Sequence, residues 1–189
     1  MDTAINILIF FVTAISILFC FRKDRHWDLH KGKKSLRFFT ILSNLFCAIS
    51  ALLLVLSSSY WAWLLKYVGT VAVTVTLLTV FFFLGPNMGY KPLLTGKDLY
   101  LHLFGPLLAI VSFCFMERWY DLSFTLSLLG ILPVIVYGFV YLVEVVIRKN
   151  WEDFYGYNKG GRWKLSMAAM FTGGFAVCML IRILYSLSI

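Results

Sequence analysis

Six apolar segments, at roughly 3–21, 38–58, 61–85, 98–117, 123–147 and 164–187, constrain this chain more than anything else in it. Each is about 19–25 residues long, the length a helix needs to cross a hydrocarbon core of ~30 Å. No water reaches that core to satisfy backbone N–H and C=O groups, so only helices and closed barrels span it. A barrel needs shorter segments of alternating polarity, and the chain does not show them. With 61% hydrophobic residues and a mean hydropathy of +0.85, little chain remains for a soluble domain. The expected fold is all-α: a polytopic membrane protein with six transmembrane helices in one bundle, a single domain over 1–189.

A net charge of +8 raises the question of nucleic acid, and its distribution answers it. Arg22, Lys23, Arg25, Lys31, Lys33, Lys34 and Arg37 lie between the first two segments. Lys91 and Lys97 lie between the third and fourth, and Arg148, Lys149, Lys159, Arg162 and Lys164 between the fifth and sixth. Lys66, Arg118 and Arg182 alone fall at the other ends. Basic residues in alternate connections mark those connections as cytoplasmic and place both termini outside. The charge is then a topology signal and an attraction for anionic headgroups in the cell membrane, with no nucleic-acid partner. The first segment opens on Asp2 and ends in a basic run, so it reads as a retained span rather than a signal peptide. Cys20, Cys47, Cys114 and Cys178 all sit in apolar segments without a CxxC pair, which suits packing.

Topology gives the polar residues depths. Thr40, Ser43, Asn44 and Cys47 fall at i, i+3, i+4 and i+7, on one helix face. Thr40 lies three residues beyond Arg37, ~4–5 Å deeper, and His102 five residues beyond Lys97, ~7–8 Å deeper. A hydroxyl and an imidazole at one level suit nucleophile and base if their helices are neighbours. Each also has a plainer role: threonine bonds to the carbonyl of the preceding turn, and histidine bonds across the bundle. Asp98, one turn before His102, either orients the imidazole or caps the helix. Ser43 and Asn44 are candidate oxyanion donors.

Further along, Pro133, Tyr137, Tyr141, Glu144 and Arg148 form a stripe. Pro133 kinks its helix; Tyr137 and Tyr141 are cavity candidates; Glu144 either pairs with Arg148 or lines the same cavity. Thr70 and Thr74 share a face, where helix-packing hydrogen bonds compete with a cavity role for Thr74. Gly85-Pro86 reads as the end of the third helix. Ala169 and Gly173 have the spacing of a close helix contact, and Lys66 and Arg182 are placed to snorkel to the headgroups. His26, Asp28 and His30 carry a metal alternative against a hydrated basic loop. The aromatic, glycine-rich stretch 150–163 is a lid or an interfacial anchor. No cofactor is expected.

Arg37-Phe38-Phe39-Thr40 with Ser43-Asn44, then His102 with Pro106, then Pro133 with Tyr137, resemble the androgen-induced membrane protein family and its bacterial relatives. The six-span layout resembles it too, over most of the chain. The resemblance implies an intramembrane threonine hydrolase that cleaves fatty acid esters of hydroxy fatty acids, with Thr40 as nucleophile, His102 as base, and membrane lipids and a fatty-acyl substrate as partners. The competing expectation is a non-enzymatic membrane protein, a small transporter or a binding or regulatory subunit, with Glu144, Tyr137 and the threonines of the third span along a path.

Overall fold

The computed structural model describes residues 2–23 and 26–187; Arg25 of the basic connection and the side chain of Lys23 lie outside them. Among the described residues six helices are long and apolar enough to cross a membrane. They are span one, Asp2–Cys20; span two, Phe39–Ser57; span three, Tyr60–Met88; span four, Lys97–Met116; span five, Phe124–Ile147; and span six, Trp163–Leu187. The chain is a multi-pass, all-helical membrane protein. A two-stranded antiparallel pair, Arg22–Lys23 against His26–Trp27, is the only sheet among the described residues. A short helix, Leu29–Ser35, follows it, with Asp28 accepting the Lys31 N–H at its start.

Turn chemistry sets the reversals. Ser58 takes a left-handed conformation (φ 44°) after span two, and Ser59 caps span three by accepting the Ala62 N–H. Ser123 caps span five in the same way. The connections 21–38, 89–96 and 148–162 then share one end of the bundle, called here the basic end.

Span three runs through the centre. Its Trp63 and Tyr67 are fully buried against Phe113 of span four and Cys178, Ile181 and Tyr185 of span six. Its other face meets Cys47 and Ala51 of span two, with Ile9 and Ala109 beside them. A Cβ on Gly69 would lie 2.9 Å from the Cys47 Cα, so only glycine lets spans two and three approach this closely. In span six the expected contact at Ala169 and Gly173 does not form. Gly173 faces open space, and Gly174 packs instead, where an added Cβ would meet Ile131 of span five at 3.1 Å.

Spans three and four share a device that sequence periodicity hides. Each contains a π turn, Val80–Leu84 and Tyr100–Phe104, closed by a glycine N–H bonding five residues back: Gly85 to Val80 and Gly105 to Tyr100. In that register the next donors belong to Pro86 and Pro106, which have none. The stranded carbonyls, Phe81 and Leu101, take side-chain donors instead. The Tyr90 hydroxyl reaches Phe81 O (2.9 Å) and the Asn44 amide reaches Leu101 O (2.9 Å). Gly85-Pro86 therefore does not end the helix, which continues to Met88 and stops at Gly89 (φ 82°). Span five changes helix type just before Pro133. A 3-10 turn, Leu128–Ile131, precedes the regular helix Leu132–Tyr141, and the Leu132 N–H satisfies Leu129 O.

Lys66 does not snorkel. It is fully buried and ion-paired with Glu117 (3.3 Å), which is buried too. Its ammonium also donates to Asn6 Oδ1 and to Ser112 Oγ, so its three protons are all used. Asn6 and Ser112 both donate to the Glu117 carboxylate, and the Trp63 indole to the Glu117 carbonyl. Spans one, three and four are thereby tied at the end opposite the basic one. Arg182 rests its guanidinium over the Phe124 ring, 6.0 Å from the centroid.

Candidate functional site

The head of span two is where the polar groups converge. Thr40, its second residue, is 9% exposed and forms part of the wall of a cavity of about 390 Å³. Spans two, three, five and six bound this cavity, and residues 155–157 close its basic end. Phe83 and Leu165 line it and are also exposed on the bundle surface, so its mouth opens sideways between the ends of spans three and six. Tyr137 and Tyr141 line it, as expected. Span three contributes Thr76 and Thr79 rather than Thr74, which is buried elsewhere with its hydroxyl on Thr70 O (2.7 Å). Thr70 bonds likewise to Lys66 O (2.9 Å), so both threonines bond within their own helix rather than between helices.

Phe38 gives span two no side-chain cap, so the first N–H groups of the helix are left over. The Tyr155 hydroxyl accepts the Phe39 N–H (3.2 Å). Burial pushes this phenol up to about 12, against the pull of the Phe39 N–H, the Tyr137 and Thr40 side chains and the Thr40 backbone. Tyr155 is therefore a proton donor at neutral pH, lying beside the Thr40 hydroxyl.

His102 is 8% exposed and sits in the π turn of span four. Its Nδ1 lies 2.7 Å from Leu93 O. A carbonyl only accepts, so Nδ1 carries the proton, and in the neutral ring Nε2 keeps the lone pair a base needs. Asp98 plays neither expected part. It pairs with Lys97 (2.7 Å), and Gly96 stands at the N-cap. The π turn at Tyr100–Phe104 breaks the four-residue phase that would have brought Asp98 under the imidazole.

Spans two and four touch at this level. The Asn44 amide nitrogen donates both hydrogens, one to Thr40 O (2.8 Å) and one to Leu101 O (2.9 Å). The residue before His102 is thus tied to Thr40 through a single side chain. Ile41 and Leu101 pack together beside it with Ile17 and Cys20. The same bonds remove Asn44 as an oxyanion donor, because it has no proton left. Ser43 is committed as well, to Thr40 O (3.2 Å) and the Thr76 hydroxyl (2.9 Å). No hydrogen bond joins the Thr40 and His102 side chains among the described residues, and His102 is not part of the cavity wall.

No protein family, curated protein or solved structure matches this chain. The reading of the site therefore rests on its own geometry.

Glu144, its side chain 17% exposed, is engaged by Arg148 (3.0 Å) and Asn150 (3.0 Å) and is not part of the cavity wall. His26 and His30 are exposed, Asp28 caps a helix, and no group of three or more potential metal ligands occurs among the described residues. The 150–163 stretch folds over the basic end. Asp153 organises it, accepting the Tyr141 hydroxyl (3.1 Å) and the Tyr157 N–H (2.7 Å) and Asn158 N–H (2.8 Å). Trp151, Phe154, Tyr155 and Tyr157 pack on Tyr137 and Tyr141. Arg37 holds it from the other side, with its guanidinium 5.6 Å from the Trp151 ring and its carbonyl accepting the Tyr137 hydroxyl (2.7 Å).

Sequence reasoning missed Tyr155 and the Lys66–Glu117 network. The first had a signal: Phe38, an apolar residue at a helix start, leaves donors for something else to take. The second had a weak one, in Asn6, a lone amide in the first apolar segment.

Proposed function

We propose that the protein hydrolyses lipid esters within the membrane, with Thr40 as nucleophile and His102 as general base. The observation that supports this reading is the position of Thr40: its side chain belongs to a laterally open cavity, and its backbone is tied by Asn44 to the residue preceding a correctly protonated histidine. Threonine is a weak nucleophile and needs such a base. An ester entering between spans three and six presents its carbonyl carbon to Thr40 Oγ1. His102 Nε2 takes the hydroxyl proton, directly or through one water. The oxyanion that forms meets the Tyr155 hydroxyl, polarised by the Phe39 N–H at the positive end of span two. The imidazolium returns its proton to the departing alcohol, and water, activated by the same ring, then releases the acid from Thr40.

The resemblance to intramembrane threonine hydrolases points to fatty acid esters of hydroxy fatty acids. The charge pattern supports a cytoplasmic basic end, termini outside, and a substrate drawn from the inner leaflet. The transport reading needs Glu144 on a path, and Glu144 is engaged by Arg148 and Asn150 outside the cavity wall. Purified wild type, Thr40→Ala and His102→Ala are compared for hydrolysis of such an ester, with thermal unfolding as the folding control. Loss of the base is expected to cost about 10²–10⁴-fold in rate, and loss of Thr40 at least as much. Hydrolysis at the wild-type rate by both folded variants disproves the proposal.

A further inference from the structure

Most hydroxyls in the cavity wall have partners or a role already. Thr40 and Tyr155 belong to the chemistry proposed above, and Tyr137, Tyr141 and Thr76 bond to Arg37 O, the Asp153 carboxylate and the Ser43 hydroxyl. Tyr157 is different. It is 7% exposed, it lines the cavity, and its hydroxyl is buried without a hydrogen-bond partner among the described residues. A buried donor left unpaired is costly, and a fold that keeps one needs something else to complete it. Burial pushes the Tyr157 phenol up, so at neutral pH it is protonated and has a proton to give. Ser166, in the first turn of span six, adds a second hydroxyl to the same end of the wall.

The surroundings decide what completes it. No carboxylate lines the cavity among the described residues. Asp153, which accepts the Tyr157 N–H, is already filled by that bond, the Asn158 N–H and the Tyr141 hydroxyl. Lys159, Arg162 and Lys164 are exposed at the same end, without an ion pair among the described residues. Unspent hydroxyl protons under a basic rim suit an acceptor that carries negative charge. The other end of the cavity is different. Val75 and Val134, in the same wall, lie ~20 Å along their helices from the basic end at ~1.5 Å per residue, and offer only hydrocarbon. We infer that Tyr157 and Ser166 form a carboxylate subsite, which holds the free carboxylate of an acidic lipid ester at the basic end while a hydrocarbon chain points toward the middle of the bilayer. This deepens, and rests on, the reading of the cavity as the site of ester hydrolysis.

Equilibrium binding of radiolabelled oleate and methyl oleate to the purified full-length protein in detergent tests this, at about pH 8, where an ordinary carboxyl is ionised. Wild type is expected to bind oleate about ten-fold tighter than methyl oleate, one factor of ten being ~1.4 kcal/mol. Tyr157→Phe removes a hydroxyl but no bond within the protein, so its ligand-free thermal midpoint is expected at or above that of wild type. The same variant is expected to weaken oleate binding about ten-fold and Ser166→Ala several-fold, with methyl oleate little changed in both. Oleate bound no tighter than methyl oleate, or bound with undiminished affinity by either folded variant, overturns the inference. So does a lowered midpoint of ligand-free Tyr157→Phe, which would reveal a partner for the hydroxyl inside the protein. Hydrolysis is read separately, with an ester bearing a free carboxylate and its methyl-capped form. Tyr157→Phe is expected to raise KM for the first about ten-fold, leaving its kcat and the KM of the second little changed. Oleate held through Tyr157 by a protein that cleaves neither ester counts against the proposed activity alone. Cleavage of both esters with the same KM overturns the inference and leaves the activity standing.

Discussion

Asn44 spends both amide hydrogens on backbone carbonyls, one in its own helix and one in span four. Leu101 O needs that donor because the π register assigns it to Pro106, which has no N–H. Asn44→Leu leaves the carbonyl buried and unpaired and is expected to lower stability by about 1–3 kcal/mol, read as a drop in the thermal midpoint of the purified protein. Asn44→Asp should behave alike, since an ionised carboxylate has no hydrogen to give. A midpoint within error of wild type for both would mean that Leu101 O has another partner. The polar face of Thr40, Ser43 and Asn44 was legible in the sequence because helical geometry alone assembles it. What each group bonds was not, because it depends on a register shift in a different span. Asp98 shows the same limit: its spacing to His102 is that of a regular helix, and the helix between them is not regular.

Among elements, the 148–162 connection is the one that shapes the site, since its Tyr155, Gly156 and Tyr157 form the end of the cavity. Asp153 holds it through three hydrogen bonds to its own backbone and to Tyr141. Asp153→Ala is expected to loosen the connection, costing about 1–3 kcal/mol and speeding tryptic cleavage at Lys159 and Arg162 several-fold. Cleavage at the wild-type rate would show that aromatic packing alone holds the loop. The six spans were legible within a few residues because length and hydropathy are set by the bilayer, whatever the packing. Their irregularities were less so. Gly85-Pro86 looks like a stop because proline interrupts an α-helix; in the π register the missing bond is supplied by Tyr90, a few residues downstream. An irregularity near Pro133 was legible, since the effect of a proline is local to span five.

Across the whole molecule, span four is tied into the bundle by polar bonds near both ends. Asn44 joins spans two and four near the basic end, and the Lys66–Glu117 network joins spans one, three and four at the other. Lys66 was expected at the headgroups because a lysine near a helix end can reach them; only the packing of Asn6, Ser112 and Glu117 around it makes an internal partner available. Lys66→Met, which strands the Glu117 carboxylate, is expected to cost about 3–5 kcal/mol, and Lys66→Met with Glu117→Leu to recover most of it, as measured by unfolding in detergent. A double variant no more stable than the single would show that the network's remaining bonds, not its charge balance, set the cost. With the scaffold braced at both ends, the proposed chemistry is attack by Thr40 on an ester, with His102 as its base. Reaction with a fluorophosphonate probe followed by peptide mass spectrometry tests this directly. The expected result is an adduct on Thr40, absent in Thr40→Ala and formed about 100-fold more slowly in His102→Ala. An adduct on Ser43 or Tyr155 instead, or labelling of Thr40 at the wild-type rate without His102, would contradict it.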